Sequence, residues 1–183
     1  MIFTETPIPG AYIIDVEPFT DDRGWFARTY CKSEFEKVGH QDNWVQINHS
    51  YTTEKGSVRG MHFQYPPYAE IKTVRCIAGE VYDVTVDLRE NSPTFLKWFG
   101  VKLSAVNKRT IYIPKGFAHG FQVLKENSEL IYCHTVAYNK QSEGAILHND
   151  PMIGIKWPIP VTNISKKDEG YNSLDINFKG IKI

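Results

Sequence analysis

The chain has little cysteine, no excess of charge and no long apolar run, and each shortage removes a class of protein. Its 183 residues include three cysteines, Cys31, Cys76 and Cys133. An odd number at irregular spacing gives neither a disulfide framework nor a zinc-ligand pattern, so reduced cysteines in a cytoplasmic protein are the expectation. Basic and acidic residues both number 21, for a formal net charge of zero. That balance leaves no electrostatic footprint for nucleic acid or an anionic membrane surface. No apolar stretch approaches a membrane span, and the first residues lack the basic segment and apolar core of a secretory leader. Neither nucleic acid nor membrane is therefore expected as a partner. There is no Gly-rich dinucleotide fingerprint, internal repeat or low-complexity tract. Any bound anion must be held by a local cluster of cations.

What is present is a globular composition. With 42% hydrophobic and 23% charged residues, a chain of this length is expected to form one domain over 1–183, with a core that needs no staples. Runs that read as strands occur at 11–16, 25–30, 44–48, 71–77, 80–87, 96–103, 109–113, 120–124 and 130–136. Turn signals separate many of them: Asp21-Asp22-Arg23-Gly24, Ala78-Gly79, Asn91-Ser92-Pro93, Pro114-Lys115-Gly116 and Glu126-Asn127. The best helical segment is 33–38, with Ser33 as its cap and Glu36 at capping-box spacing. Beyond Trp157 the pattern weakens to a polar tail at 165–168 and a short final segment. Many short strands with Gly, Pro and Asn between them predict a mainly β sandwich or barrel with a few short helices.

Two segments carry the chemistry. Arg59-Gly60-Met61-His62-Phe63-Gln64 and Pro114-Lys115-Gly116-Phe117-Ala118-His119-Gly120 each set a histidine beside a glycine on or next to a strand-like run. Imidazole takes or gives a proton near neutral pH, and Arg59, Lys72 and Lys115 bring cations for an anionic substrate. The order glycine, strand, Pro-x-Gly-x-x-His is similar to the second half of the cupin signature. The first half of that signature wants two histidines one residue apart, and here Gln64 stands in the second place. Glutamine is a poor ligand for a transition metal beside imidazole or carboxylate, so a metal-free proton-transfer site is expected, with no cofactor.

Further motifs narrow the reading. Arg59 to Gln64, Gly79-Glu80-Val81-Tyr82-Asp83-Val84, Val86-Asp87-Leu88-Arg89, Ser92-Pro93-Thr94-Phe95, the stretch from Ile113 to Phe121, Gly154-Ile155-Lys156-Trp157-Pro158 and Ser165-Lys166-Lys167-Asp168 resemble, in order, the motifs of the dTDP-4-dehydrorhamnose 3,5-epimerase family. The resemblance implies a cupin-type double-stranded β-helix, a jelly-roll barrel. It implies an isomerase that inverts C3 and C5 of a dTDP-linked or other nucleotide-linked 4-keto-6-deoxy sugar by removing and returning protons through an enolate. By the same resemblance His62 is the base, Asp168 its orienting carboxylate, Tyr132 the acid and Lys72 the enolate stabiliser. His119 lies beside the sugar. Arg23 and Arg59 meet the diphosphate, Gln46 and Asn48 are polar contacts, and Tyr138 stacks on the nucleobase. Glu143 and Lys167 fall at binding positions. A homodimer is implied too, with Arg23 entering the partner's site.

The chain departs from the family pattern at several places. Arg28 stands where an acidic residue is usual, Ile47 where aspartate is common, and Cys133-His134 replace a Lys-Thr pair after the acid tyrosine. Two other functions stay open at this point: an enzyme inverting only C3 or only C5, and a non-catalytic sugar-nucleotide binder. Retention of His62, Tyr132, Asp168 and Lys72 together argues against the binder, which needs neither acid nor base.

Overall fold

A computed structural model describes residues 1–183. The chain opens with β1 (Ile2–Glu5) and β2 (Tyr12–Asp15), then a hairpin of β3 (Phe19–Asp21) and β4 (Gly24–Phe26). One turn of helix, α1 (Lys32–Phe35), runs into a 3-10 turn at Glu36–Val38. β5 (Gln46–Thr52), β6 (Val58–Gln64), β7 (Lys72–Asp87), β8 (Trp98–Ser104), β9 (Thr110–Ile113) and β10 (Phe117–His134) follow. β11 (Glu143–Ala145) and α2 (Lys166–Glu169) complete the series. No helix is long and apolar enough to cross a membrane.

Nine strands form one antiparallel sheet in the order β1-β2-β9-β7-β10-β6-β11, with β5 added to β10 and β8 to β7. Its spine is the pair of long strands β7 and β10, in register from Phe117↔Asp87 to His134↔Lys72. Each long strand takes two neighbours on its other edge. β9 and β8 share β7, while β6 and β5 share β10. Strands this long can keep pairing only by bending, and the bends are bulges near the middle of both, where the register shifts between Val123 and Leu130. Gly79 and Asn127 take left-handed conformations there, and Ser128 Oγ bonds both Glu80 N and Glu80 O, so the ladder groups remain satisfied.

These bulges correct the expectation of separate strands at 71–77 and 80–87, and at 120–124 and 130–136. Ala78-Gly79 and Glu126-Asn127 bend their strands without ending them. The bulges also change side-chain parity. Val74 and Cys76 share one core with odd-numbered Val81, and Phe117, Phe121 and Val123 share it with even-numbered Leu130. On a regular strand those residues would face opposite sides. A second core, on the other side of the sheet, gathers Met61, Phe63, Val84, Val86, Leu88 and Ile146. Burying such side chains stabilises the fold by roughly 1.5–3 kcal/mol each.

Three further expectations need correction. The helix at 33–38 begins one residue earlier, at Lys32, with Cys31 in the cap position and no side-chain cap. Ser33 lies inside it and meets Cys31 Sγ at 3.3 Å, so the capping box does not form. Phe35 sets the helix in place, packed among Phe3, Tyr30, Trp44 and Tyr112. The strand expected over 25–30 stops at Phe26. The polar tail at 165–168 is the start of α2: Ser165 Oγ accepts from Asp168 N at 3.1 Å, and Asp168 is buried. Past it, Ile181 bridges Arg89, while Leu174, Phe178 and Ile181 pack on the second core.

Candidate active site

A cavity of about 570 Å³ opens between β5, β6, β10 and the segment leading into α2. His62 and Asp168 meet on its wall, with Nε2 2.7 Å from Oδ1. The imidazole keeps 37% of its side-chain surface and the carboxylate 5%, so the ring is reachable from the cavity and the carboxylate is not. Asp168 is held from three sides, since its Oδ2 also accepts from Gly60 N at 3.2 Å and its own N–H is capped by Ser165. Burial alone would raise its carboxyl, but the hydrogen bond and charge of His62, with Gly60 and Ser165, hold it below the ordinary carboxylate value. An ionised carboxylate only accepts, so neutral His62 carries its proton on Nε2 and leaves Nδ1 as a base.

The second group comes from β10. Tyr132 packs its ring against the first core while its hydroxyl meets Ser50 Oγ at 2.9 Å. Burial pushes its phenol well above the usual range, with Asp83 adding to the effect and Ser50 opposing it. It is therefore protonated at any working pH. His119 and Tyr132 lie on one strand an odd number of residues apart, and both line the cavity. Only the parity change at the β10 bulge allows that.

Behind them are two buried acid–base pairs. His119 Nε2 lies 3.0 and 2.9 Å from the two oxygens of Asp83, which is completely buried. That burial raises the Asp83 carboxyl, and the charges of His119 and Lys72 offset it only in part. Lys72 Nζ sits 2.9 Å from Glu70 Oε1, both side chains being more than nine-tenths buried. Glu70 Oε2 accepts from Gln64 Nε2, while Gln64 Oε1 accepts from Asn139 N at 2.6 Å. The Gln64 amide is thus committed at both ends to neighbours, which agrees with its poor fit as a metal ligand.

The outer part of the cavity collects the expected binding residues. Arg59 is steadied by Thr52 Oγ1 at 2.9 Å and by Tyr51 O. Tyr138 Oη donates to Glu143 at 3.2 Å, and Lys167 Nζ pairs with the same carboxylate at 2.5 Å. Asn48 lines the cavity, and Gln46 stands just behind it, bonded to Asn48 and to Tyr138 N. Arg23 is not in this cavity. It sits on the β3–β4 hairpin paired to Asp21, with 85% of its side chain exposed. Arg28 and Ile47 are absent from the lining too: Arg28 pairs with Glu34, and Ile47 is 69% exposed on the outer face of β5.

Four partners escape sequence reasoning: Asp83, Glu70, Ser50 and Tyr171, the last lying edge-on to His62 at 6.3 Å. Asp83, set between Tyr82 and Val84 in the strand-like run 80–87, was the one visible signal, because a buried carboxylate needs a partner. Together these groups can remove a proton from carbon, stabilise the resulting oxyanion with a buried ammonium and an imidazole, and deliver a proton from a phenol.

Comparison with known proteins bears on what the cavity takes. The profile of the family described as dTDP-4-dehydrorhamnose 3,5-epimerase matches residues 5–175. The dTDP-4-dehydrorhamnose 3,5-epimerase of Salmonella typhimurium is 47% identical over 177 residues, covering 96% of each chain. Among solved structures, the dTDP-4-dehydrorhamnose 3,5-epimerase of Elizabethkingia anophelis superposes with a TM-score of 0.93 at 41% identity, covering 97% of this chain and 98% of its own. A dTDP-6-deoxy-D-glucose-3,5-epimerase from Legionella pneumophila, in complex with dTDP-4-keto-L-rhamnose, superposes at 0.91 with 39% identity, covering 96% and 94%.

Proposed function

The chain belongs to the dTDP-4-dehydrorhamnose 3,5-epimerase family, and from that premise we propose how its cavity inverts C3 and C5 of a dTDP-linked 4-keto-6-deoxyhexose. It is an isomerase of the epimerase type. The observation that carries the reading is one cavity lined by both an accessible imidazole backed by a sealed carboxylate and a phenol held protonated.

The chemical difficulty is acidity. A proton beside a ketone lies roughly 12 pKa units above imidazole, at ~1.4 kcal/mol for each unit. One positioned donor contributes only about 3–4 kcal/mol to stabilising an oxyanion, so no single group suffices. We assign His62 Nδ1 as the base, with Asp168 stabilising the imidazolium that forms. Lys72 and His119 meet the enolate oxygen at the buried end. Tyr132 returns a proton to the face away from His62, and Ser50 holds its hydroxyl in position. Once His62 has given its proton to solvent and Tyr132 has regained one, repetition of the cycle on the other side of the ketone inverts the second carbon.

Arg59, Asn48, Tyr138, Glu143 and Lys167 form the nucleotide end, where a guanidinium fork suits the diphosphate. One cation for that end lies elsewhere. Arg23 rides on a hairpin whose Phe19, Trp25 and Phe26 are 77%, 50% and 73% exposed, a surface unusual for a free chain. We infer that the enzyme is a homodimer in which this hairpin covers the partner and Arg23 reaches the partner's diphosphate. Turnover of dTDP-4-dehydro-6-deoxyglucose in deuterated water tests the reaction. NMR of the product should show solvent deuterium at both C3 and C5. Label at one carbon alone would reassign the enzyme as a monofunctional epimerase, and absence of label at both would remove the enolate mechanism.

A further inference from the structure

His134 is a feature of this chain that the reaction above does not use. It follows Tyr132 by two residues on β10 and shares its face, the two rings lying 6.2 Å apart with planes 20° from parallel. It lines the cavity, in register with Lys72 on β7 and Gln46 on β5. A short relay determines which of its nitrogens carries the proton. Tyr138 N donates to Gln46 Oε1 at 3.0 Å, Gln46 Nε2 to Asn48 Oδ1 at 3.1 Å, and Asn48 Nδ2 reaches His134 Nε2 at 3.3 Å. An amide nitrogen can only donate, so His134 Nε2 accepts and the ring proton resides on Nδ1. Nδ1 makes no hydrogen bond within the chain, and unlike Nε2 of His40 or Nδ1 of His148 it is not sealed from solvent.

Burial and the neighbouring Lys72 charge push this imidazole down to about 4, so it is uncharged at neutral pH. It is a poor base there and has no ionised form to act as an acid. What remains is a fixed, neutral hydrogen-bond donor between the acid tyrosine and the buried lysine. We propose that His134 Nδ1–H is a specificity-determining donor that reads an oxygen of the bound hexose, and that the relay from Tyr138 through Gln46 and Asn48 fixes it in that tautomer. This rests on the reading that the cavity takes a nucleotide-linked sugar. A donor built to meet a hydroxyl or carbonyl discriminates against sugars lacking it, because an unpaired buried donor is costly. Its position beside Tyr132 and in register with Lys72, the two groups assigned to the sugar, assigns it to the sugar rather than to the nucleotide.

The test is calorimetric titration of the whole protein with dTDP and with dTDP-quinovose, a 6-deoxyhexose ligand with no ketone to enolise. His134→Phe should weaken dTDP-quinovose ~10-fold while leaving dTDP unchanged, the scale of one lost hydrogen bond. His134→Asn, whose Nδ2 occupies the place of Nδ1, should recover most of that loss. Equal weakening of both ligands by His134→Phe, or of neither, overturns the proposal. Nitrogen-15 NMR of the wild-type imidazoles gives a second check that needs no variant: His134 must be the Nδ1–H tautomer and must shift with dTDP-quinovose but not with dTDP. Wild-type protein that binds neither ligand would instead sink the functional reading, and this inference with it.

Discussion

Asp168→Asn changes one atom of the site and two of its properties. The asparagine amide keeps the shape of the carboxylate, but it can donate, so it favours the wrong tautomer of His62 and cannot stabilise the imidazolium. The carboxylate it replaces is ionised at working pH, since its neighbours outweigh the upward push of burial. Turnover is expected to fall ~100-fold or more, the scale of a disabled general base, with nucleotide binding intact. A calorimetric titration with dTDP beside a kinetic assay checks both halves, and an unimpaired variant would show that Asp168 is only structural. At this scale the sequence was legible where a residue sat inside a motif, as with His62, His119 and Asp168. It was illegible where a residue matters through its partner. Ser50 and Glu70 carry no local signal, because their roles arise from the register of β5 against β10 and of the 70–72 segment against β6.

Strand β6 shows how an element positions a side chain. Gly60 has φ +107°, and a Cβ there would lie 2.6 Å from His119 O and 2.7 Å from Gly120 Cα. Both are backbone atoms of β10, which cannot give way as a flexible side chain would. Its amide also donates to Asp168. Gly60→Ala should therefore push β6 from β10, displace His62 and cost about 1–3 kcal/mol of stability. Urea unfolding and turnover should fall together, and a variant as stable and active as wild type would contradict this account of the strand crossing. The strands themselves were largely readable from alternation and turn residues. Their joining was not, because a glycine that bends a strand and one that ends it look alike until the opposing strand is known. That ambiguity hid the parity change that brings His119 and Tyr132 to one cavity. The α2 turn was hidden for a related reason: four polar residues read as solvated, and only tertiary packing buries Asp168 among them.

The whole molecule has an unfinished surface. Besides the hairpin carrying Arg23, β5 exposes Ile47 and Tyr51 at 69% and 52%, and Val45 just before it is 59% exposed. Two exposed apolar faces on one small chain are what a second copy would cover. Light scattering at micromolar concentration should give twice the chain mass of 21.0 kDa. Arg23→Ala should weaken dTDP binding without changing that mass. A fully active monomer would contradict the shared site. The expectation of a dimer comes only from the family resemblance, since composition and alternation do not distinguish a strand edge facing a partner from one facing water.

Inversion requires the base and acid to act from different faces of the sugar, and Tyr132→Phe in deuterated water examines that directly. With His62 and Asp168 intact, the enolate still forms and is reprotonated from the side it left. NMR should show deuterium entering the sugar with configuration retained, while inversion falls ~100-fold or more. Inversion at the wild-type rate would show that another group supplies the proton and would contradict the assignment of Tyr132.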